Sequence, residues 1–412
     1  MVDERFWQDF FEQAVAVVRP IACLPRALPD PQFYRSVKVI AAGKGASAMA
    51  SVLEACWPDE DFTGVIVCPY GYLDKVNGQL ETLEAAHPVP DQNSINAAKK
   101  ALGVATTVEP GDLLLVLLSG GASALLCAPS AGITLQEKQQ ITAGLLAAGA
   151  PIDELNQVRS HYSKIKAGGL LAHVVAGATI VTLAISDVVG DEPAQIGSGP
   201  TCWSPSSEPV VQDILRKYSI EAPRGHIPPL EKPTASSEFK IIANADVMLT
   251  EAANWLVERG FAVVDLGSVE TGIARDVAKL HAHRISERVK AKPARKAAFL
   301  SGGELTVEVK GSGQGGPNQE YLVALMSKLE PGRYAGFAAD TDGCDGVGGA
   351  AGAFFDQVTH ATAQQNEGYT KCLENNDSCN FFNNLSSLLK VKPTLTNVND
   401  LRVVLYDPGK FA

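Results

Sequence analysis

Between Val37 and Ile185, short apolar runs alternate with stretches of helical period. Val37–Ala42, Gly64–Cys68, Asp112–Leu118 and Ala178–Ile185 have the length and branched aliphatic content of buried strands. Helices are expected from about Ala46, Ser94 and Leu135, the last opened by the capping box Thr134-x-x-Glu137. Such alternation predicts a parallel sheet with helices on both faces. Ahead of it, MVDERFWQDFFEQAVAVV places apolar residues near helical spacing among acids, which predicts an amphipathic helix. From Cys202 to Glu238 the pattern lapses and Pro205, Pro209, Pro223, Pro228, Pro229 and Pro233 accumulate, so this stretch reads as an interdomain connection.

Alternation resumes with Phe239–Ala243, a helix over about Asp246–Arg259, the strand Phe261–Leu266, a helix through Ala274–Val289 and the strand Ala297–Leu300. A hairpin is expected around Leu305–Lys310, then a glycine-rich turn, a further helix and the strand Tyr334–Ala339 ending at Asp340. LLLVLLSGG and KAAFLSGG echo each other, through duplication or two uses of one turn. The expected fold is α/β in two domains: a Rossmann-like parallel sheet over 1–235 and a second α/β domain over 236–412.

Bulk properties narrow the function. The length of 412 residues suits two domains, and 46% hydrophobic content with a mean hydropathy of +0.03 suits filled cores in a soluble protein. No apolar run approaches the roughly 20 residues needed to span a bilayer. The N-terminal acids Asp3, Glu4, Asp9 and Glu12 do not suit a signal peptide, so a cytoplasmic location is expected. A net charge of −11 with scattered basic residues argues against nucleic acid as a partner. Eight cysteines without a Cys-x-x-Cys pair argue for ordinary reduced thiols. His281 and His283 stand two apart in a helix and point to different faces, which argues against a metal site there.

The polar residues that remain gather at strand ends, where the active loops of such sheets lie. Gly43-Lys44-Gly45 joins the first strand to an alanine-rich helix, an arrangement that suits an anion at a helix N-terminus. Gly43-x-Gly45-x-x-Ala48 loosely fits a dinucleotide fingerprint, but the second strand runs into Cys68-Pro69-Tyr70 and supplies no ribose acid. No Walker motif is present. A solvated turn with an incidental lysine is the plainer alternative. Ser119-Gly120-Gly121-Ala122-Ser123 reads either as a second anion-binding turn or as a close-packed one. Asn156, Arg159, His161, Lys164 and Lys166 form a largely cationic cluster in which Arg159 and Ser163 would share a helix face, and Arg159 could clamp a carboxylate or phosphate. Asp187 and Asp191, then Asp340, Asp342 and Asp345, follow strand ends as hard oxygen donors suited to Mg²⁺, or else bond their own turns.

Taken in order, AAGKGASAMA, HPVPDQNS, LLSGGASALL, NQVRSHYSKIKAGGL, SDVVGDEPAQIGSGPT, LSGGELTVEVKGSGQGGPNQE, AADTDGCDGVGGAAGA and PTLTNVNDLRVVL resemble the glycerate 2-kinases of the MOFRL type, a family whose members also carry the name hydroxypyruvate reductase. The resemblance runs from about Val37 to Val404 and implies a MOFRL-type C-terminal domain. It implies transfer of the γ-phosphoryl group of ATP to the 2-hydroxyl of D-glycerate, with Mg²⁺, in a cleft between two domains. On this pattern Lys44, Arg159 and Asp187 are the catalytic candidates, with Asp187 as base or metal ligand. Gly43, Gly45, Ser119, Gly120, Gly121 and Ser123 are candidates for substrate and nucleotide binding. So are Ser301, Gly302, Gly303, Glu304, Gly315, Gly316, Asn318 and Glu320 of the second domain. Asp187, Asp191, Asp340 and Asp342 are the metal candidates. Where many members have Gly-Gly-Arg-Asn-Gln-Glu this chain has Pro317, and Arg159-Ser160-His161 replaces Arg-Lys-His. The expected partners are ATP and D-glycerate, with the chain a monomer or homodimer. An NAD(P)H-dependent hydroxypyruvate reductase and a non-catalytic nucleotide or organic-acid binding protein are the alternatives.

Overall fold

Leu113–Leu118 is LLLVLL, with no polar side chain to leave in water on either face, and all six residues are buried. This is the composition of a strand covered on both sides. In the computed structural model, which describes residues 2–409 except 75, 77, 224–231, 331–332 and 366–367, it is the fourth strand of the chain. The strands β1 (Val37–Ala42), β2 (Phe62–Pro69), β3 (Glu81–Ala85), β4 (Leu113–Leu118), β5 (Thr179–Ile185) and β6 (Ser236–Ala243) form one sheet in the order β3-β2-β1-β4-β5-β6. Pairings from β3 through β5 are parallel. The helices Ala46–Cys56 and Gln92–Thr106 pack against it, the latter held by a capping box between Asp91 and Ser94. Ile40, Val65, Val116, Ile180 and Ala101 share its core.

A satellite core joins the helices Leu135–Ala147, Ile152–His161 and Glu208–Lys217 through Ile141, Leu145, Leu155, Val158, Val211 and Leu215. The third of these lies in the stretch expected to be an irregular connection. Pro209 misleads there, because it occupies the first helical turn, where a missing N–H costs little. Pro228 and Pro229 lie outside the described residues.

The second sheet comprises β7 (Ala262–Ile273), β8 (Ala297–Thr306), β9 (Tyr334–Asp340), β10 (Gly352–Phe355), β11 (Leu388–Leu389) and β12 (Asp400–Tyr406), in the order β11-β10-β9-β12-β8-β7. It is mixed: β7 pairs parallel with β8, and the other neighbours run antiparallel. The expected hairpin at Leu305–Lys310 does not form. Instead β8 runs straight on through Ser301-Gly302-Gly303, because β7 extends beside it to pair with Thr306. Gly303 has a φ of 92°, and a Cβ there would lie 2.1 Å from the Glu270 carbonyl oxygen, so glycine here admits a neighbouring backbone and does not mark a turn. The two Ser-Gly-Gly sequences therefore have different structures.

The chain divides into the compact units Pro20–Ile242 and Met1–Arg19 with Ala243–Ala412. This differs from a break after residue 235 in two respects. β6 completes the first sheet, and the N-terminal helix Glu4–Ala16 belongs with the second unit. Trp7 stacks on Phe337 with ring centroids 5.5 Å apart, and Phe10 lies 5.3 Å from Trp255. Burying such aromatic area is the largest contribution a short helix can make to its docking. Among the described residues no helix is long and apolar enough to cross a membrane.

Candidate active site

The order of the first sheet reverses between β1 and β4, and at such a switch point the loops leaving neighbouring strands diverge to opposite faces. The turns after these strands hold one another directly. The Lys44 amide donates to the Gly120 carbonyl at 2.8 Å and the Gly45 amide to Ser119 Oγ at 2.9 Å. Gly43, at φ 131°, permits this approach, since a Cβ would fall 2.2 Å from Ser119 Oγ. The Gly43 amide is taken by the Val67 carbonyl and that of Ala46 by Gly43. Four consecutive amides thus serve the fold, and the loop is not the amide cradle its glycines suggest. What it presents is a side chain: from residue 41 to 50, Lys44 alone is not buried.

Gly121 caps the short helix Ala122–Leu125 in the left-handed region, with φ 87°. A Cβ there would stand 3.0 Å from the His87 ring, a residue of the HPVPDQNS motif not counted among the site candidates. Ser123 is the centre of a polar knot. Its Oγ accepts from Arg159 Nη2 at 2.7 Å and from Lys166 Nζ at 2.6 Å, and lies 2.8 Å from Ser198 Oγ. Lys166 Nζ also donates to the Ser123 carbonyl at 2.6 Å, and Arg159 Nη1 to Asn156 Oδ1 at 3.3 Å. Lys138 Nζ donates to the carbonyls of Arg159 at 2.6 Å and Tyr162 at 2.8 Å. Ser163 does not share a helix face with Arg159, because the helix ends at His161. Its hydroxyl instead accepts from the Lys166 amide. Burial lowers the pKa of Arg159 and brings Lys138 down to about 7.

Asp187 and Asp191 lie in the loop after β5, both partly exposed, with Asp191 held at φ 55°. In the other unit, Asp340 Oδ1 accepts from the Asp342 amide at 2.9 Å and Asp342 Oδ1 from the Cys344 amide at 2.8 Å, so each carboxylate also shapes its own turn. Among the described residues no group of three or more His, Cys, Asp or Glu side chains is arranged to hold a metal ion. Two partly exposed carboxylates nevertheless fit Mg²⁺, which takes most of its ligands from water and phosphate.

The glycine-rich residues of the second unit are committed internally. Ser301 Oγ and the Gly302 carbonyl accept from Arg402, Gly303 abuts Glu270, and only Glu304 of that group is exposed. A Cβ on Gly315 would lie 2.0 Å from Ser378 Oγ, and one on Gly316 would lie 2.3 Å from the Asp345 carbonyl oxygen. Asn318 is fully buried and donates to Asp400 at 2.6 Å, while Glu320 pairs with Arg275 at 2.7 Å. Asp345 caps the helix Pro317–Met326, accepting from the Asn318 and Gln319 amides at 3.0 and 2.9 Å. That helix start, expected to face nucleotide, is already occupied by a carboxylate of its own unit.

A largely parallel sheet with a half-buried lysine at its switch point and, among the described residues, a cationic knot without a paired acid defines an α/β scaffold for anionic small molecules. Residues 6–227 match the model of a domain of unknown function, DUF4147, and residues 297–400 match the MOFRL family. A putative hydroxypyruvate reductase of Agrobacterium vitis is 39% identical over 410 residues, covering 96% of this chain and 92% of that protein. The D-glycerate 2-kinase of Thermotoga maritima is 35% identical over 407 residues, covering 96% and 97%. The crystal structure of a glycerate kinase from Thermotoga maritima superposes with a TM-score of 0.86 at 33% identity, covering 98% of this chain and 99% of that one. The chain belongs to the MOFRL-type glycerate 2-kinase family.

Proposed function

We propose that this chain transfers the γ-phosphoryl group of ATP to the 2-hydroxyl of D-glycerate, giving 2-phosphoglycerate. The observation that carries the reading is the placement of Lys44, the one residue from 41 to 50 that is not fully buried, at the switch point of the sheet. Phosphoryl transfer depends chiefly on positioning and on charge stabilisation. The Lys44 ammonium supplies positive charge to the transferring group, and the loop, locked to Ser119 and Gly120, holds it without reorganisation. Arg159, braced by Ser123, receives the carboxylate of the acceptor. Asp187 either accepts the proton of the attacking hydroxyl or, with Asp191, holds Mg²⁺. When bound, that ion supplies charge neutralisation to the phosphate oxygens. The internal partners of Asn318 and Glu320 give them a supporting part, apart from nucleotide contact. The enzyme is read as a cytoplasmic monomer or homodimer.

The test is a single assay series on the purified chain. ADP is expected only when ATP, Mg²⁺ and D-glycerate are present together, with 2-phosphoglycerate as the product. Lys44→Ala should lower turnover on the order of 10²-fold or more. Near-normal turnover in that variant would remove Lys44 from the mechanism. Hydroxypyruvate-dependent oxidation of NAD(P)H would favour the reductase name carried by relatives, a reading that lacks a ribose-binding acid after β2.

A further inference from the structure

Lys166 is 2% exposed, yet its ammonium has no carboxylate to meet it. Its acceptors are the Ser123 carbonyl and hydroxyl and, at 3.4 Å, Ser198 Oγ. The charged or titratable groups that face it are Arg159 on the helix Ile152–His161, Lys138 on the helix Leu135–Ala147 and Cys127 beyond the helix Ala122–Leu125. His161 turns away, to the Ser206 carbonyl and towards Glu208. Among the described residues no Asp or Glu pairs with Lys138, Arg159 or Lys166. Three cationic groups largely withdrawn from water without a counter-charge are costly to keep charged.

The hydrogen-bond count fixes what Lys166 does. Ser123 Oγ has two lone pairs, and Arg159 and Lys166 fill both, so its own proton must go to Ser198 Oγ at 2.8 Å. A neutral Lys166 would carry a lone pair and could take that proton instead, reversing the pair. The charge state of Lys166 therefore sets the direction of the hydroxyls against which Arg159 rests. Arg159 and Ser123 are partly exposed and can meet a ligand, whereas Lys166 stands behind them.

We infer that Lys166 is the positioning residue of an acid-recognition site, and that a carboxylate entering beside Arg159 is bound together with one proton taken up at Lys166. The inference rests on the reading of the acceptor as a hydroxy acid and adds a proton to its binding. Burial, then the charges of Arg159 and Lys138, push the empty-site pKa of Lys166 well below the usual lysine range. An arriving anion supplies the missing charge and reverses that balance.

Calorimetric titration of the full chain with D-glycerate, in two non-phosphate buffers of different ionisation heat, counts the protons bound. Uptake of about one proton per acid is expected in the native protein near neutral pH or above. Lys166→Met should abolish the uptake and weaken binding on the order of tenfold. Lys166→Arg, permanently charged, should bind without uptake and with affinity restored. A merely structural lysine would leave the proton count unchanged by either substitution, and that result overturns the inference. If D-glycerate gives neither heat nor ADP, the kinase reading fails and sulfate becomes the probe. Thermal stabilisation by sulfate that falls with rising pH in the native protein, but not in Lys166→Arg, upholds the inference. Equal pH dependence in both overturns it.

Discussion

A single hydrogen atom on Gly43 decides where Lys44 stands. Gly43→Ala would drive a Cβ to 2.2 Å from Ser119 Oγ in a conformation that L-residues avoid. It is expected to lower stability by at least about 2 kcal/mol and to reduce turnover with it. Urea midpoints read beside ADP release would show this, and an unchanged midpoint would mean that the two turns need not touch. Asp345 offers a test of a different kind. Burial, outweighing three hydrogen bonds from Asn318 and Gln319, pushes its carboxyl from 3.8 up to about 7. A carboxyl raised on folding holds its proton more tightly in the native state, so its contribution is complete below the unfolded value and is lost as pH rises through about 7. Asp345→Asn should flatten the fall in unfolding free energy between about pH 4 and about pH 7. A slope equal to that of the native protein would place the proton elsewhere. Lys44, Ser119 and Asp187 could be singled out from sequence because they follow apolar runs at strand ends, and Arg159 because it stands in a cationic cluster on a helix. Lys166 stood in that same cluster without a role of its own, and Lys138 and Ser198 could not be picked out, because a polar residue in a polar stretch reads as solvated until the fold closes over it. Asn318 and Glu320 show the reverse: polar residues after a glycine run read as ligand contacts, and in the fold each also has buried partners within its own unit.

The same concealment operates on whole elements. β1, β4 and β5 stand out because they are mainly aliphatic runs and almost wholly buried. β12 is equally central and was not legible as a strand, since DLRVVLY opens with two charges. Those charges answer each other inside the sheet: Arg402 Nη1 meets Asp400 Oδ2 at 2.5 Å, and Asp400 in turn accepts from Asn318 and from the Leu305 amide. Arg402→Ala would strand Asp400 in the interior, and a loss of about 3–5 kcal/mol in unfolding free energy is expected. A loss under about 1 kcal/mol would mean that Asn318 and the Leu305 amide satisfy Asp400 unaided. β3 escaped notice for a simpler reason. Its ETLEA sequence is that of a polar edge strand, only partly covered.

At the scale of the whole chain, one unit is assembled from the two ends of the sequence. A fragment of residues 20–242 contains every strand of the first sheet except the final residue of β6 and is expected to fold alone. A fragment of residues 243–412 would leave the Phe337 and Trp255 faces uncovered, and a synthetic peptide of residues 1–19 should raise its melting temperature in a concentration-dependent way. No shift at saturating peptide would show that the helix contributes little to the unit that holds it. The arrangement also imposes an order in time. Trp7 leaves the ribosome roughly 330 residues before Phe337, a wait on the order of tens of seconds at ~5–20 residues per second. Throughout that interval the entire first sheet can form while Trp7, Phe10 and Phe11 still lack their native cover. The helix Glu4–Ala16 is thus made long before the sheet that seats it, which makes the nascent chain, more than the finished enzyme, the form most in need of a chaperone.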